Sequence, residues 1–289
     1  MSDPASLPVA RGLSSAFRRL RRNPAALGGT IVFLLFLLIA VFGPLAAPYG
    51  YEEQNISHRL APPSAAHLFG TDQYGRDIFS RVLAGSTSIF LLSGTGTLLA
   101  AFVGVTIGLL SGFYGRLWDE VLMRLLDVLL SFPALLFALL LLATVGPSAA
   151  NILIVISVLY VPMLARLARS MVLDLRTKEF VEAARMRGEH DVAILFVEIL
   201  PNALGPILVE ISVRFSYSIF LVASLGFLGL GVQPPSPDWG LQINEARSYF
   251  DTAPWILLFP AGAISLLVVA TNLMTDGLRN VLQPGARSA

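Results

Sequence analysis

The charged residues that could do chemistry fall into three groups in this chain. Residues 69–81 read Phe-Gly-Thr-Asp-Gln-Tyr-Gly-Arg-Asp-Ile-Phe-Ser-Arg, which sets Asp72, Arg76, Asp77 and Arg81 at helical or turn spacing. Residues 177–188 run Thr-Lys-Glu-Phe-Val-Glu-Ala-Ala-Arg-Met-Arg-Gly and carry both signs of charge. Inside apolar sequence, Glu210 precedes Arg214 by four residues and Arg124 precedes Asp127 by three, spacings at which opposite charges meet on one helix face. None of this makes a bond-breaking site. There is no cysteine, and His58, His67 and His190 form no His-Glu-x-x-His pattern, so neither a thiol nucleophile nor a metal site is expected. The one lysine, Lys178, has no glycine before it at phosphate-loop spacing, so the chain is expected to bind no ATP of its own. What remains is charge that pairs, docks or lines a path.

The elements holding these residues belong to a membrane protein. Hydrophobic residues make up 55% and charged residues 13% of 289 positions, and the mean hydropathy is +0.72; soluble domains run near 25% charged. Apolar runs at 25–45, 89–113, 121–145, 149–165, 204–230 and 255–274 predict six transmembrane helices and an all-α fold, because a chain in lipid must satisfy its own backbone hydrogen bonds. The first run follows five arginines. It is long enough to cross a bilayer core of about 30 Å, which favours an uncleaved span over a signal peptide. With the N-terminus in the cytoplasm, 15 of the 20 Lys and Arg fall on the inside and four outside, so both termini are expected there. The organisation expected is a basic tail (1–24), a first span (25–45), an external segment with a short interfacial helix at Asp77–Ala84 (46–88), a five-helix core (89–284) and a short tail (285–289).

Local signals refine this. Gly104, Gly108 and Gly112 leave one helix face bare, open to a neighbour in the same chain or to a second subunit. Pro133, Pro162, Pro206 and Pro260 can bend their spans. Residues 177–202 predict two short helices capped by Thr177 and Asp191, with Gly188 in a left-handed turn between them. Phe180, Ala183, Ala184, Ile194 and Leu195 are expected to form apolar faces, either for a partner or for the membrane surface. The charges of the 69–81 segment would steer a partner or anchor a helix among headgroups. The Gln233–Pro237 turn is expected to end the fifth span.

Glu182-Ala183-Ala184, Gly188 and Leu200-Pro201 resemble the EAA loop of ABC-importer permeases. The 69–81 segment resembles the GTDxxGRDxxSR signature of the dipeptide, oligopeptide and nickel branch, as do Phe-Leu-Gly-Leu-Gly-Val-Gln-Pro-Pro-Ser-Pro-Asp-Trp-Gly at 227–240 and Asp-Gly-Leu-Arg at 276–279; within it the likeness is to the C-type subunit. The resemblance implies a type I ABC-importer permease fold and a plasma-membrane location in a bacterium. It implies that Glu182, Ala183, Ala184, Gly188, Leu200 and Pro201 couple the chain to an ATPase. It implies outer-face contacts to a binding protein at Asp72, Arg76, Asp77, Arg81, Gln233, Pro234 and Trp239, while Arg214 and Glu210 are candidate pathway residues. The partners implied are a homologous B-type permease, two ATP-binding subunits supplying ATP and Mg, an extracellular solute-binding protein and membrane lipid, with no nucleic acid. Peptides, nickel, glutathione, opines and oligosaccharides are all solutes within the branch. Two positions depart from its pattern: Glu198 stands where Ile is frequent, and Thr87 where Arg is common. The competing readings are an ion-coupled carrier, which needs midplane acids and related halves, and an intramembrane protease.

Overall fold

The computed structural model describes residues 23–282; the arginines of the N-terminal tail and residues 285–289 lie outside the described residues. Helix α1 (Pro24–Ala46) begins where Asn23 Oδ1 accepts the Ala26 amide at 3.2 Å and Pro24 supplies a first helical residue that needs no partner. After an irregular segment comes α2 (Ile78–Tyr114), capped by Asp77, whose Oδ2 accepts from the Ser80 amide at 2.8 Å. The interfacial helix expected at Asp77–Ala84 is therefore no separate element. It forms the first turns of a 37-residue helix, because no proline interrupts the chain from its cap to Gly115.

The expected third span is broken. Helices α3 (Arg116–Leu130) and α4 (Ala134–Val145) meet at 87°. Pro133 has no N–H to give and disfavours helical backbone at Phe132, so the ladder stops there. Helix α5 (Ala149–Leu175) leads through a tight turn into α6 (Glu179–Met186), and α7 (Asp191–Phe227) follows as one 37-residue rod. Helix α8 (Trp239–Ala246) and the long α9 (Trp255–Leu282) complete the described residues. Among the described residues, five helices are long and apolar enough to cross a membrane, or six if the bent pair is one span. Two ends can be distinguished: one carries α6, the other carries α8 and residues 47–77.

The longest seam lies between α2 and α5. Cβ atoms added at Gly104, Gly108 and Gly112 would lie 2.7 Å from the Val161 carbonyl, 2.2 Å from that of Ala165 and 2.8 Å from Val172 Cβ. The bare face is thus filled by this chain's own α5, leaving none of it for a second subunit. Helix α1 packs on α2 and α9, with Gly29 against Leu273 and Thr87 Oγ1 donating to the Ala40 carbonyl at 2.5 Å, while Ile31, Leu34, Leu38 and Phe42 point outward, exposed. The central core gathers Ile89, Leu142, Ile152, Ile156, Ile219 and Trp239.

Charge pairing on α3 differs from expectation. Arg124 pairs with Glu120 one turn back at 2.8 Å, and Asp127 instead reaches Arg166 of α5. The pair with glutamate four residues before arginine is the favoured order on a helix, and it leaves Asp127 free to bridge helices. Asp119 also crosses to α5, where Arg169 Nε and Nη2 donate to its two oxygens at 2.5 and 2.6 Å.

Because the seam has no room for a methyl group, Gly108→Ala should cost about 1–3 kcal/mol, and Gly108→Leu should prevent assembly of the bundle. Gly28, with open space around it, is the control: Gly28→Ala should hold or raise the thermal midpoint measured in detergent.

Candidate functional site

At the α6 end the chain builds a small knob. Val181 and Ala184 are fully buried against Ile194, Leu195 and Ile199 at the start of α7, with Leu109 and Val172 beneath them. This packing turns Glu179, Glu182, Ala183 and Met186 outward along one side of α6, a spacing of three and four residues. Met186 is 87% exposed at the tip. Ala184, expected with Ala183 to receive a partner, works inside the knob instead. Gly188 has φ 76° with nothing within 4 Å of a Cβ, so it is glycine for its backbone angle and not for space. Neither expected cap is used: Thr177 Oγ1 donates to the Asp174 carbonyl, and Asp191 is the first helical residue after His190. Leu200 is half-buried and Pro201 exposed, directly after a widened π turn at Ile194–Ile199. Proline cannot donate to the carbonyl four residues back, which suits a widened turn there. Arg187 ties the loop by pairing with Glu189 at 2.6 Å and Glu198 at 3.1 Å, which gives the departure at Glu198 a structural use.

At the opposite end lies a buried ion network. Arg76 Nε donates to Asp72 Oδ2 at 2.5 Å and Arg76 Nη2 to Glu245 Oε2 at 2.7 Å. Arg81, 1% exposed, stands 3.8 Å from Asp72 and 3.7 Å from Glu245 and donates to the carbonyls of Tyr51 and Ser236. Asp77 faces His67 Nδ1 at 2.9 Å, and Trp239 Nε1 donates to the Val82 carbonyl at 2.9 Å. Asp72, Arg76, Asp77, Arg81 and Trp239 are therefore inaccessible to another protein in this structure. Their work is to bind α8 and the 47–77 segment onto the start of α2. Gln233 and Pro234 remain exposed. Glu245, the fourth charge of the network, stands 169 residues from Arg76 and carries no local sequence signal. Helix α7 ends before the proline turn: Gly229 at φ 83° closes it, with the Leu230 amide donating to the Leu225 carbonyl at 2.9 Å and that of Gly229 to Gly226.

Between the two ends, α7 presents Glu210 and Arg214 to a cleft of about 660 Å³ that Tyr160, Tyr217, Leu135 and Arg279 also line. Arg214 Nε donates to Glu210 Oε1 at 2.6 Å. A second hollow of about 450 Å³ shares Leu135, Phe220 and Ser224 with it, so the groove continues along α7 toward the α8 end.

Residues 104–288 match the family of binding-protein-dependent transport system inner membrane components, and residues 13–63 match the N-terminal TM domain of oligopeptide transport permease C. The chain belongs to the ABC-importer permease family. This permease is 44% identical over 276 residues to the dipeptide transport system permease protein DppC of Alkalihalophilus pseudofirmus, covering 94% of this chain and 90% of that one. It is 38% identical over 294 residues to the di/tripeptide transport system permease protein DppC of Pseudomonas aeruginosa, covering 100% and 97%. It is 41% identical over 292 residues to the glutathione transport system permease protein GsiD of Pectobacterium atrosepticum, covering 98% and 97%. Its fold is similar to that of the MetNI methionine ABC transporter in inward-facing conformations, with a TM-score of 0.54 and 17% identity, over 69% of this chain and 95% of that one. The permease is a multi-span membrane protein and a transport subunit; the carrier and protease readings give way to the family.

Burial raises the Asp238 carboxyl to about 6, against the Leu241 and Gly240 amides that pull it down, and its Oδ2 is buried without a partner. Because the folded value lies above the ordinary one, the protonated form stabilises the permease, fully so below pH 3.8 and progressively less as pH rises through about 6. Thermal midpoints of wild type and Asp238→Asn, compared from pH 5 to 7.5, should diverge: over that window the wild type loses about 1–2 kcal/mol relative to the asparagine variant, whose side-chain oxygen still caps α8.

Proposed function

We propose that this permease forms half of the translocation path of an ATP-driven peptide importer, with a homologous B-type permease forming the other half. Two ATP-binding subunits holding ATP and Mg dock at the knob, and an extracellular binding protein delivers the solute to the exposed Gln233–Pro234 turn. Both termini lie on the cytoplasmic side of a bacterial inner membrane, a reading that the distribution of Lys and Arg supports.

The observation that carries the coupling role is the construction of the knob. A short helix is fixed by buried Val181 and Ala184 at the junction of two long helices, while Glu182, Ala183 and Met186 stand out from it. A surface loop lying on a membrane would turn its apolar side to lipid. This one turns that side inward and presents a mixed face capped by methionine, a side chain that adapts to a cleft in a partner. Peptide as the solute is supported by the dipeptide and di/tripeptide names of relatives covered almost end to end. The groove along α7 supports the path, because charged and phenolic side chains at span depth are costly against lipid and belong against water or solute.

Gly188→Pro forbids the φ of 76° that closes the knob, and Glu182→Lys reverses charge on its exposed face. In the assembled importer in proteoliposomes, both variants should lose ATP-driven peptide uptake while solute affinity of the binding protein stays unchanged. Normal uptake in both would remove the coupling role from the knob.

A further inference from the structure

The cleft on α7 holds more hydrogen-bonding capacity than the chain uses. Glu210 Oε1 receives both Nε and Nη2 of Arg214. Within the described residues, Arg214 Nη1, Glu210 Oε2 and the hydroxyls of Tyr160 and Tyr217 make no hydrogen bond, although all four side chains line the same cavity. The Arg214 guanidinium lies 5.4 Å from the Tyr217 ring centre, within cation–π range. With Arg279 on the facing helix, the wall carries two cations and one anion. A guanidinium with a free edge beside phenolic hydroxyls is a receiver for carboxylate.

We propose that Arg214 receives the carboxylate of the passing solute and that Glu210 occupies that place between turnovers. The proposal rests on the peptide reading above and assigns it a selective residue inside the membrane. A bare guanidinium in this cleft would be costly, so a resident carboxylate is needed when no solute is present. Glu210 sits one turn away on the same helix, and a change of its side-chain rotamer alone releases Arg214. A solute carboxylate then replaces a protein carboxylate at nearly equal energy. Such an exchange binds firmly enough to admit the solute and weakly enough to let it leave. A neutral solute offers nothing to displace Glu210, so the pair itself acts as a filter.

The test is the initial rate of uptake of a radiolabelled dipeptide at subsaturating concentration, using the assembled importer in proteoliposomes. Arg214→Gln should lower the rate about tenfold or more, the loss of a charge-assisted hydrogen bond, and Arg214→Lys should recover part of it. Glu210→Gln removes the competing charge while its amide oxygen can still accept from Arg214, and should raise the rate. Equal losses in Arg214→Gln and Glu210→Gln would show that the pair only holds the helix together, and would overturn the proposal, as would wild-type transport by Arg214→Gln. Should Arg214→Gln fail to assemble, Glu210→Gln decides alone, a tenfold loss refuting the exchange. If the wild-type importer takes up no dipeptide, the peptide reading fails and the proposal with it.

Discussion

The close approach of α2 and α5 governs the rest of the permease. In lipid no hydrophobic force drives one apolar helix against another, so helices associate by dispersion at short range and by interhelical hydrogen bonds. Gly96, Gly104, Gly108 and Gly112 permit that range, since a Cβ at any of them would collide with α5. Pinned along this length, α5 is a fixed arm. Arg176 donating to the Gly112 carbonyl at 2.9 Å and Arg169 bridging to Asp119 hold its last turns, and the knob begins where it ends. Helix α7 joins the same body through Ala203 and Ile207 packed on Ala168.

The opposite end is held by a different force. There Asp72, Glu245, Arg76 and Arg81 form a neutral, buried set, so neither sign of charge is left stranded, and carbonyls of Tyr51 and Ser236 take two of the Arg81 donors. Helix α8 and the 47–77 segment therefore move with the start of α2. Helix α7 runs between these two anchorages, knob at one end and glycine-capped turn at the other, with the charged cleft partway along.

Much of this was legible in the chain. Span positions followed from runs of apolar residues that only a helix can place in lipid, and Gly188 was recognisable because a turn between two short helices needs a left-handed residue. The length of α2 and α7 was not, because charged and polar residues such as Arg81 and Glu198 ended the apolar runs while leaving the helices intact. The break at Pro133 was visible as a bend, but its near right angle depends on Ser131 and Phe132 leaving the helix together. The site was harder. Membership of Asp72, Arg76, Asp77 and Arg81 in one motif suggested a surface, whereas their depth depends on Glu245 and Trp239, which arrive from distant sequence. The pairing of Asp127 with Arg166 likewise follows from the angle between α3 and α5, which no local spacing encodes.

If α7 behaves as one rod from the knob to its glycine-capped end, displacement of the knob reaches the α8 end. Since the chain has no cysteine, single cysteines can be placed at will, and Val197, Leu228 and the outward-facing Leu38 of α1 are all exposed. Spin labels at these positions, measured pairwise in the assembled importer with and without trapped ATP, give three distances. A rigid α7 keeps the separation between Val197 and Leu228 constant while both change relative to Leu38. Movement of Val197 with Leu228 stationary, or a changed separation along α7 itself through bending at Pro206, would contradict it.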